Sequence, residues 1–235
     1  HNCGAINIDK LAKKVLSIKA DIGFAFDGDG DRLIAVDEKG YEIDGDKLIA
    51  LFAKEFLKLK KLNKKTVVTT VMSNLGFEKY LKQKLGIKLI RKNVGDINVI
   101  TEMQKNNFNL GGEQSGHIIL GQYMNTGDGI LAALKITEFL SIQNIKASKL
   151  FDLYKAYFQI KNNIQIKKNI SRQVNNQINK LYLGYKKEYK ELRFLIRKSG
   201  TEPLLRILVE GRHKDFVSKT SSKLIKTLNK VINEL

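Results

Sequence analysis

The chain has 235 residues, of which 43% are hydrophobic and 28% charged. That is the composition of an ordinary globular protein, and it excludes collagen, a disulfide scaffold and wholesale disorder. Cys3 is the only cysteine, so no internal disulfide forms. A chain of this size buries roughly 70–75% of its extended surface, enough for one large core or two smaller ones.

No uncharged apolar run reaches the ~18 residues of a membrane helix. The best runs are interrupted at Lys54 and Lys135, so no membrane partner is expected. The net charge of +18 raises the question of nucleic acid. Lysine greatly outnumbers arginine and is spread through the surface segments with Asn and Ile. A compositional bias explains this, and no specific nucleic-acid binding is expected. The same positive field favours acidic small-molecule substrates. The first residue is His1, not Met, so the sequence reads as part of a longer chain and leaves targeting signals open.

In chain order, residues 8–18 have helical spacing and Ile22–Phe26 reads as a short buried strand. A glycine-aspartate loop leads to a second strand, Leu33–Val36, and Lys39-Gly40 reads as a turn. Asp44 or Asp46 caps a helix running to about residue 59. Strands are expected at 66–71, 87–91, 108–111 and 117–120, and helices at 75–85, 97–106 and 127–142. This β-α rhythm predicts an α/β fold with a mixed, mostly parallel, helix-covered sheet. After about residue 155 the pattern changes. Strands at 158–166, 192–197 and 204–210, with helices at 171–183 and 214–234, predict a small α+β domain with an antiparallel sheet.

Four motifs carry chemistry. In Asp27-Gly-Asp29-Gly-Asp31-Arg32, three carboxylates alternate with glycines between two apolar strands. Carboxylates brought to about 4 Å repel by roughly 4 kcal/mol per pair at a surface-like dielectric, and a hard divalent cation removes that penalty. Mg²⁺ suits a site with few protein ligands and a substrate phosphate. The rival readings are a solvated acidic turn and an EF-hand. The EF-hand fails because its sixth position, which must be Gly, is Arg32.

In Gly111-Gly-Glu113-Gln-Ser115-Gly-His117, Glu113 and Ser115 are suited to sugar hydroxyls or an amine, and His117 to an oxygen or a proton. The plainer reading is a glycine-rich hairpin whose Glu caps a helix. In Arg197-Lys-Ser199-Gly200-Thr201-Glu-Pro203, with Arg206 beyond, the cations, hydroxyls and turn N–H groups form an anion cradle suited to phosphate. An ordinary basic turn is the alternative. Thr126-Gly-Asp128-Gly129 opens a helix and reads as a cap. Ser73 or Asn74 serves either as an N-cap or as a ligand contact.

In this order the motifs resemble the α-D-phosphohexomutase superfamily. DGDGDR is similar to its metal loop, GGEQSGH to its sugar loop and RKSGTEP to its phosphate loop. VMSNLG, VGD and TGDGILAAL are closest to the phosphoglucosamine mutase branch. The resemblance implies that residues 1–44 end the family's domain 2, that 45–150 form domain 3 and that 157–235 form domain 4. The phosphoserine domain would lie upstream, outside these 235 residues, with the missing N-terminal domains as partners. The implied reaction interconverts glucosamine 6-phosphate and glucosamine 1-phosphate in the cytoplasm, feeding amino-sugar nucleotide and cell-wall synthesis. A sugar bisphosphate is its intermediate and activator.

The implied roles are Mg²⁺ on Asp27, Asp29 and Asp31, positive charge from Arg32, and sugar contacts from Glu113, Ser115 and His117. Phosphate contacts come from Arg197, Ser199, Gly200, Thr201 and Arg206. One departure is Ile97-Asn98 after Val94-Gly95-Asp96, where related enzymes place a basic residue. A phosphomannomutase or phosphoglucomutase, or a non-catalytic remnant of such an enzyme, is the alternative.

Overall fold

The computed structural model describes residues 4, 5, 7–166, 171–200 and 202–233, apart from the side chain of Asn233. The chain forms two compact units, His1–Lys155 and Ala156–Leu235.

The first unit opens with α1 (Asp9–Ile18) and an antiparallel meander of β1 (Ile22–Phe26), β2 (Leu33–Asp37) and β3 (Glu42–Ile43). Asp37 Oδ1 accepts the N–H groups of Lys39 and Tyr41 at 3.0 and 2.9 Å, closing the turn expected at Lys39-Gly40. There follow α2 (Gly45–Lys58), β4 (Thr66–Thr70), α3 (Leu75–Leu85), β5 (Lys88–Lys92) and α4 (Asp96–Asn106). β6 (Leu110–Gly112), β7 (Ile118–Leu120), α5 (Gly129–Gln143) and α6 (Ala147–Leu150) complete the unit.

The second sheet has the order β5-β4-β6-β7. β4 is parallel to β5 and β6, whereas β7 is antiparallel to β6. The mixed, mostly parallel sheet is as expected, and among the described residues its parallel pairs are those of β4 with β5 and β6. Parallel neighbours need a crossover of a dozen or more residues. The short links 27–32 and 113–117 permit only hairpins.

Side-chain alternation puts helices on both faces of this sheet. Val67 joins a core with Phe52, Phe77 and Leu81, while Val68 packs with Val99 and Met103 of α4. α2 is buried nearly all round, with Leu48, Ile49, Leu51 and Phe52 fully covered. Leu33, Ala35 and Ile43 belong to the same cluster, so the segment 1–44 shares its core with the residues that follow. Among the helix caps, Asp44 accepts the Lys47 N–H at 3.0 Å and Asp128 the Leu131 N–H at 2.8 Å.

The second unit is α+β. β8 (Phe158–Gln165), β9 (Arg193–Lys198) and β10 (Leu204–Gly211) form an antiparallel sheet of order β8-β10-β9. α7 (Arg172–Glu188) and α8 (Lys214–Asn233) cover one face. There Ile164, Phe194, Leu205 and Ile207 pack with Val174, Val217 and Leu224. Among the described residues, no helix is long and apolar enough to cross a membrane.

Candidate functional site

The aspartate loop joins β1 to β2, whose register ends at Phe26 opposite Leu33. One carboxylate oxygen from each of Asp27, Asp29 and Asp31 lies within 4.8 Å of the other two. Gly30 has φ +73°, so the loop needs a glycine there. Gly28 stays outside the left-handed region. The Arg32 N–H donates to Asp27 Oδ1 at 3.1 Å, and Arg32 Nε lies 3.5 Å from Asp27 Oδ2. The flanks are strands, not the helices of an EF-hand.

Asp31 Oδ1 is buried without a hydrogen-bond partner among the described residues. Burial, followed by the adjacent Asp27, raises the Asp31 carboxyl above the usual range. Three converging acids, one with an orphaned oxygen, are the donor set that a hard divalent cation takes. These residues fit Mg²⁺.

The second loop, 113–117, is a tight β6–β7 turn. The Glu113 N–H donates to His117 O at 2.9 Å and the Gly116 N–H to Glu113 O at 3.0 Å. The aspartate loop is tied directly to it. The Leu33 N–H donates to Gly116 O at 2.9 Å, and Arg32 and His117 form an antiparallel bridge.

His117 is only 2% exposed. Its Nε2 accepts the Gly127 N–H at 3.1 Å, so the ring proton sits on Nδ1. Nδ1 then donates to Asp31 Oδ2 at 3.0 Å. Expected as a sugar contact, His117 instead has both ring nitrogens engaged within the protein, and it orients a carboxylate of the acidic trio.

Glu113 is 9% exposed, and its Oε1 accepts the Gly95 N–H at 3.2 Å. Gly95 is the N-cap residue of α4, so the helix-capping alternative for this Glu is realised. Ser115 is exposed at the tip of the turn. Ile97, in the first turn of α4, is 64% exposed.

Sequence reasoning missed the glycines that allow these loops to close. Gly129 donates to Gly30 O at 3.0 Å, and a Cβ there would lie 2.8 Å from Arg32 O. A Cβ on Gly127 would lie 2.3 Å from His117 Nε2, and one on Gly45 only 2.1 Å from Glu113 O. The glycines on both sides of Asp128 were the available signal, because a cap needs neither.

Asn74 Oδ1 accepts the Gly76 N–H at 2.8 Å and caps α3, and the Asn74 N–H donates to Asp46 Oδ2 at 2.7 Å. Asp46 is therefore a buried anchor, not a cap. Burial, with the charge of Asp44, raises its pKa to about 7, despite opposing contributions from Asn74, Ser73 and Arg91.

The third loop lies in the second unit, between β9 and β10. The Ser199 N–H donates to Leu204 O at 2.8 Å. Gly200 faces open space, where a Cβ would meet no atom within 4 Å. Thr201 lies outside the described residues. Arg197 and Arg206 stand directly opposite each other in register. Arg206 Nη2 donates to Glu202 Oε2 at 2.5 Å, while its Nε is buried without a partner among the described residues. Burial, then the charge of Arg206, lowers the pKa of Arg197. Like charges directly opposed destabilise a sheet unless an anion lies between them.

Residues 44–157 match the model for phosphoglucomutase/phosphomannomutase alpha/beta/alpha domain III, and residues 167–225 match that for the C-terminal domain of the same enzymes. The chain belongs to the phosphoglucomutase/phosphomannomutase family. It is 44% identical over 234 residues to a phosphoglucosamine mutase of Campylobacter fetus subsp. fetus, covering 99% of this chain and 51% of that protein. It is 46% identical over 228 residues to a phosphoglucosamine mutase of Nautilia profundicola, covering 95% and 50%. The chain thus spans about half the length of the curated relatives it matches.

Among solved structures, a phosphoglucomutase/phosphomannomutase family protein from Burkholderia thailandensis has a TM-score of 0.80 at 22% identity, covering 97% of this chain and 50% of that one. Aspergillus fumigatus N-acetylphosphoglucosamine mutase in complex with GlcNAc-6P and magnesium has a TM-score of 0.74 at 19% identity, covering 99% and 53%. A glucose 1,6-bisphosphate complex of the same Aspergillus enzyme has a TM-score of 0.72 at 20% identity, covering 100% and 53%. At these identities the likeness is one of fold.

Proposed function

We propose that these 235 residues are the C-terminal part of a phosphoglucosamine mutase, which interconverts glucosamine 6-phosphate and glucosamine 1-phosphate. The observation that carries the reading is the convergence of Asp27, Asp29 and Asp31, with Asp31 oriented by His117 from the adjoining loop. The phosphoglucosamine mutase relatives support the branch. In this reading residues 1–44 are the end of domain 2, 45–150 are domain 3 and 157–235 are domain 4. In this reading the phosphoserine domain lies upstream, outside these 235 residues.

Asp27, Asp29 and Asp31 would hold Mg²⁺, which supplies positive charge to offset the negative charge that develops during phosphoryl transfer. Arg32, held against Asp27, adds a second positive group. In this reading Ser115 and Glu113 would hydrogen-bond the sugar hydroxyls. Arg197, Ser199, Gly200, Thr201 and Arg206 hold the phosphate that is not reacting. One fixed phosphate site then serves both substrates, because the sugar turns over and the site stays in place. A sugar bisphosphate is the intermediate between the two orientations.

The test is turnover by the complete polypeptide, phosphorylated on its serine, with Mg²⁺ and a trace of glucosamine 1,6-bisphosphate. The expected result is conversion of glucosamine 6-phosphate with kcat/KM at least tenfold above that for mannose or glucose phosphates, about 1.4 kcal/mol of discrimination. A smaller preference favours the phosphomannomutase or phosphoglucomutase alternative. No turnover of any hexose phosphate removes the catalytic reading.

A further inference from the structure

We propose that Asn163 is a third donor in the anion cradle formed by Arg197 and Arg206. The inference rests on the phosphate-binding reading of those two arginines.

Asn163 on β8 is paired with Arg206 on β10, which is paired with Arg197 on β9. Directly opposed residues of antiparallel strands project from the same face, with Cβ atoms about 4.5–5.5 Å apart. Leu205 and Ile207, on either side of Arg206, pack into the helix-covered core. The row Asn163–Arg206–Arg197 therefore projects from the opposite face.

A second row on that face shows what such a set of groups binds. Four residues along β10, Glu210 is paired with Gln159 and Arg193. Its carboxylate is fully buried, accepting from the Gln159 amide at 3.0 Å and from Arg193 Nε at 2.6 Å. In that row an amide and a guanidinium flank a built-in oxyanion. The Asn163 row repeats the flanking amide and guanidinium, but a second guanidinium occupies the central position. No carboxylate belongs to the row itself; Glu202 from the adjoining turn accepts from Arg206 Nη2 and leaves Arg206 Nε without a partner among the described residues.

The Asn163 side chain is exposed and carries no hydrogen bond among the described residues. Its neighbour Asn162 donates to Ser221 Oγ at 3.1 Å on the core side. Asn163 thus offers two N–H donors and no charge, so it adds nothing to the repulsion between Arg197 and Arg206. A phosphoryl group seated on the two guanidiniums takes one of those N–H groups on a third oxygen.

The test is calorimetric titration of the 235-residue chain with inorganic phosphate at low salt, with EDTA present to remove magnesium. Asn163→Ala should weaken phosphate binding about tenfold, which is about 1.4 kcal/mol. Asn163→Asp should weaken it further, because it replaces a donor with a repelling charge. Arg206→Gln, the control for the cradle itself, should abolish measurable binding. Thermal melts check that each variant remains folded. If Asn163→Ala and Asn163→Asp both bind within twofold of the parent while Arg206→Gln does not bind, Asn163 is outside the site and the cradle stands. If the parent takes up no phosphate, or Arg206→Gln binds normally, the cradle and this inference fall together.

Discussion

His117 Nδ1 donates to Asp31 Oδ2 at 3.0 Å because Nε2 is already committed to the Gly127 N–H at 3.1 Å. A backbone group thus fixes a tautomer, and the tautomer fixes a carboxylate that is a candidate metal ligand. Partners of this second kind typically affect metal affinity by 10–100-fold. Nitrogen-15 NMR of the imidazole at pH 7.5 should therefore find Nδ1 protonated and Nε2 bare. His117→Phe should weaken Mg²⁺ binding about tenfold. It should also cost on the order of 1–3 kcal/mol in stability by leaving a buried N–H unpaired. A ring protonated on Nε2 would contradict the arrangement.

Gly45 opens α2 directly beneath the 113–117 loop, with its N–H on Gln114 O at 3.0 Å. A Cβ there would meet the backbone of residues 113, 114 and 116, which cannot move aside like a flexible side chain. Gly45→Ala should lower stability by about 1–3 kcal/mol through overpacking. The urea midpoint should fall with the m-value unchanged. A midpoint equal to the parent's would mean that the loop is free to shift.

Asp46 gives a pH signature. Its pKa rises from 3.8 to about 7 on folding, so the folded state binds the extra proton. The associated stability is fully present below pH 4 and is lost as pH rises through 7, on the order of 4 kcal/mol in all. Asp46→Asn retains an oxygen for the Asn74 N–H and removes the titration. Urea melts from pH 4 to 8 should show the parent losing stability relative to the variant. Parallel curves for the two proteins would refute the assignment.

Arg197 and Arg206 impose a cost that their ligand should offset. In phosphate-free buffer, Arg197→Gln should leave stability unchanged or raise it by up to about 1 kcal/mol, because it removes a like-charge cross-strand pair. In phosphate the order should reverse, since only the parent gains stability from binding. Thermal melts with and without phosphate measure both quantities. A variant destabilised equally in both buffers would assign Arg197 a purely structural role.

Much of the fold is legible in the sequence where the signals are local. Asn74 before an apolar period marks the start of α3, and Leu75–Leu85 is the span expected. The strands at 66 and 204 likewise begin where β-branched and apolar runs begin. The β-α rhythm correctly gives a mixed, mostly parallel sheet, while the antiparallel pairs follow from link length, because 27–32 and 113–117 are too short to cross over.

The aspartate loop and the arginine pair stand out because like charges gathered there are costly without a counter-ion. The role of His117 does not, because its partners Asp31 and Gly127 come from different loops and meet only in the folded chain. Asp46 shows the same limit. Its sequence context is that of a helix N-terminus, and only tertiary packing against Asn74 buries it.

The proposed mutase chemistry depends on Asp27, Asp29 and Asp31 gathering one magnesium ion. Calorimetric titration of the chain with MgCl₂ at pH 7.5 tests it most directly. Saturation is expected at one ion per chain, and it should be lost in Asp31→Asn and in the variant with all three aspartates changed to asparagine. No saturable uptake, or uptake unaffected when all three are replaced, would contradict it.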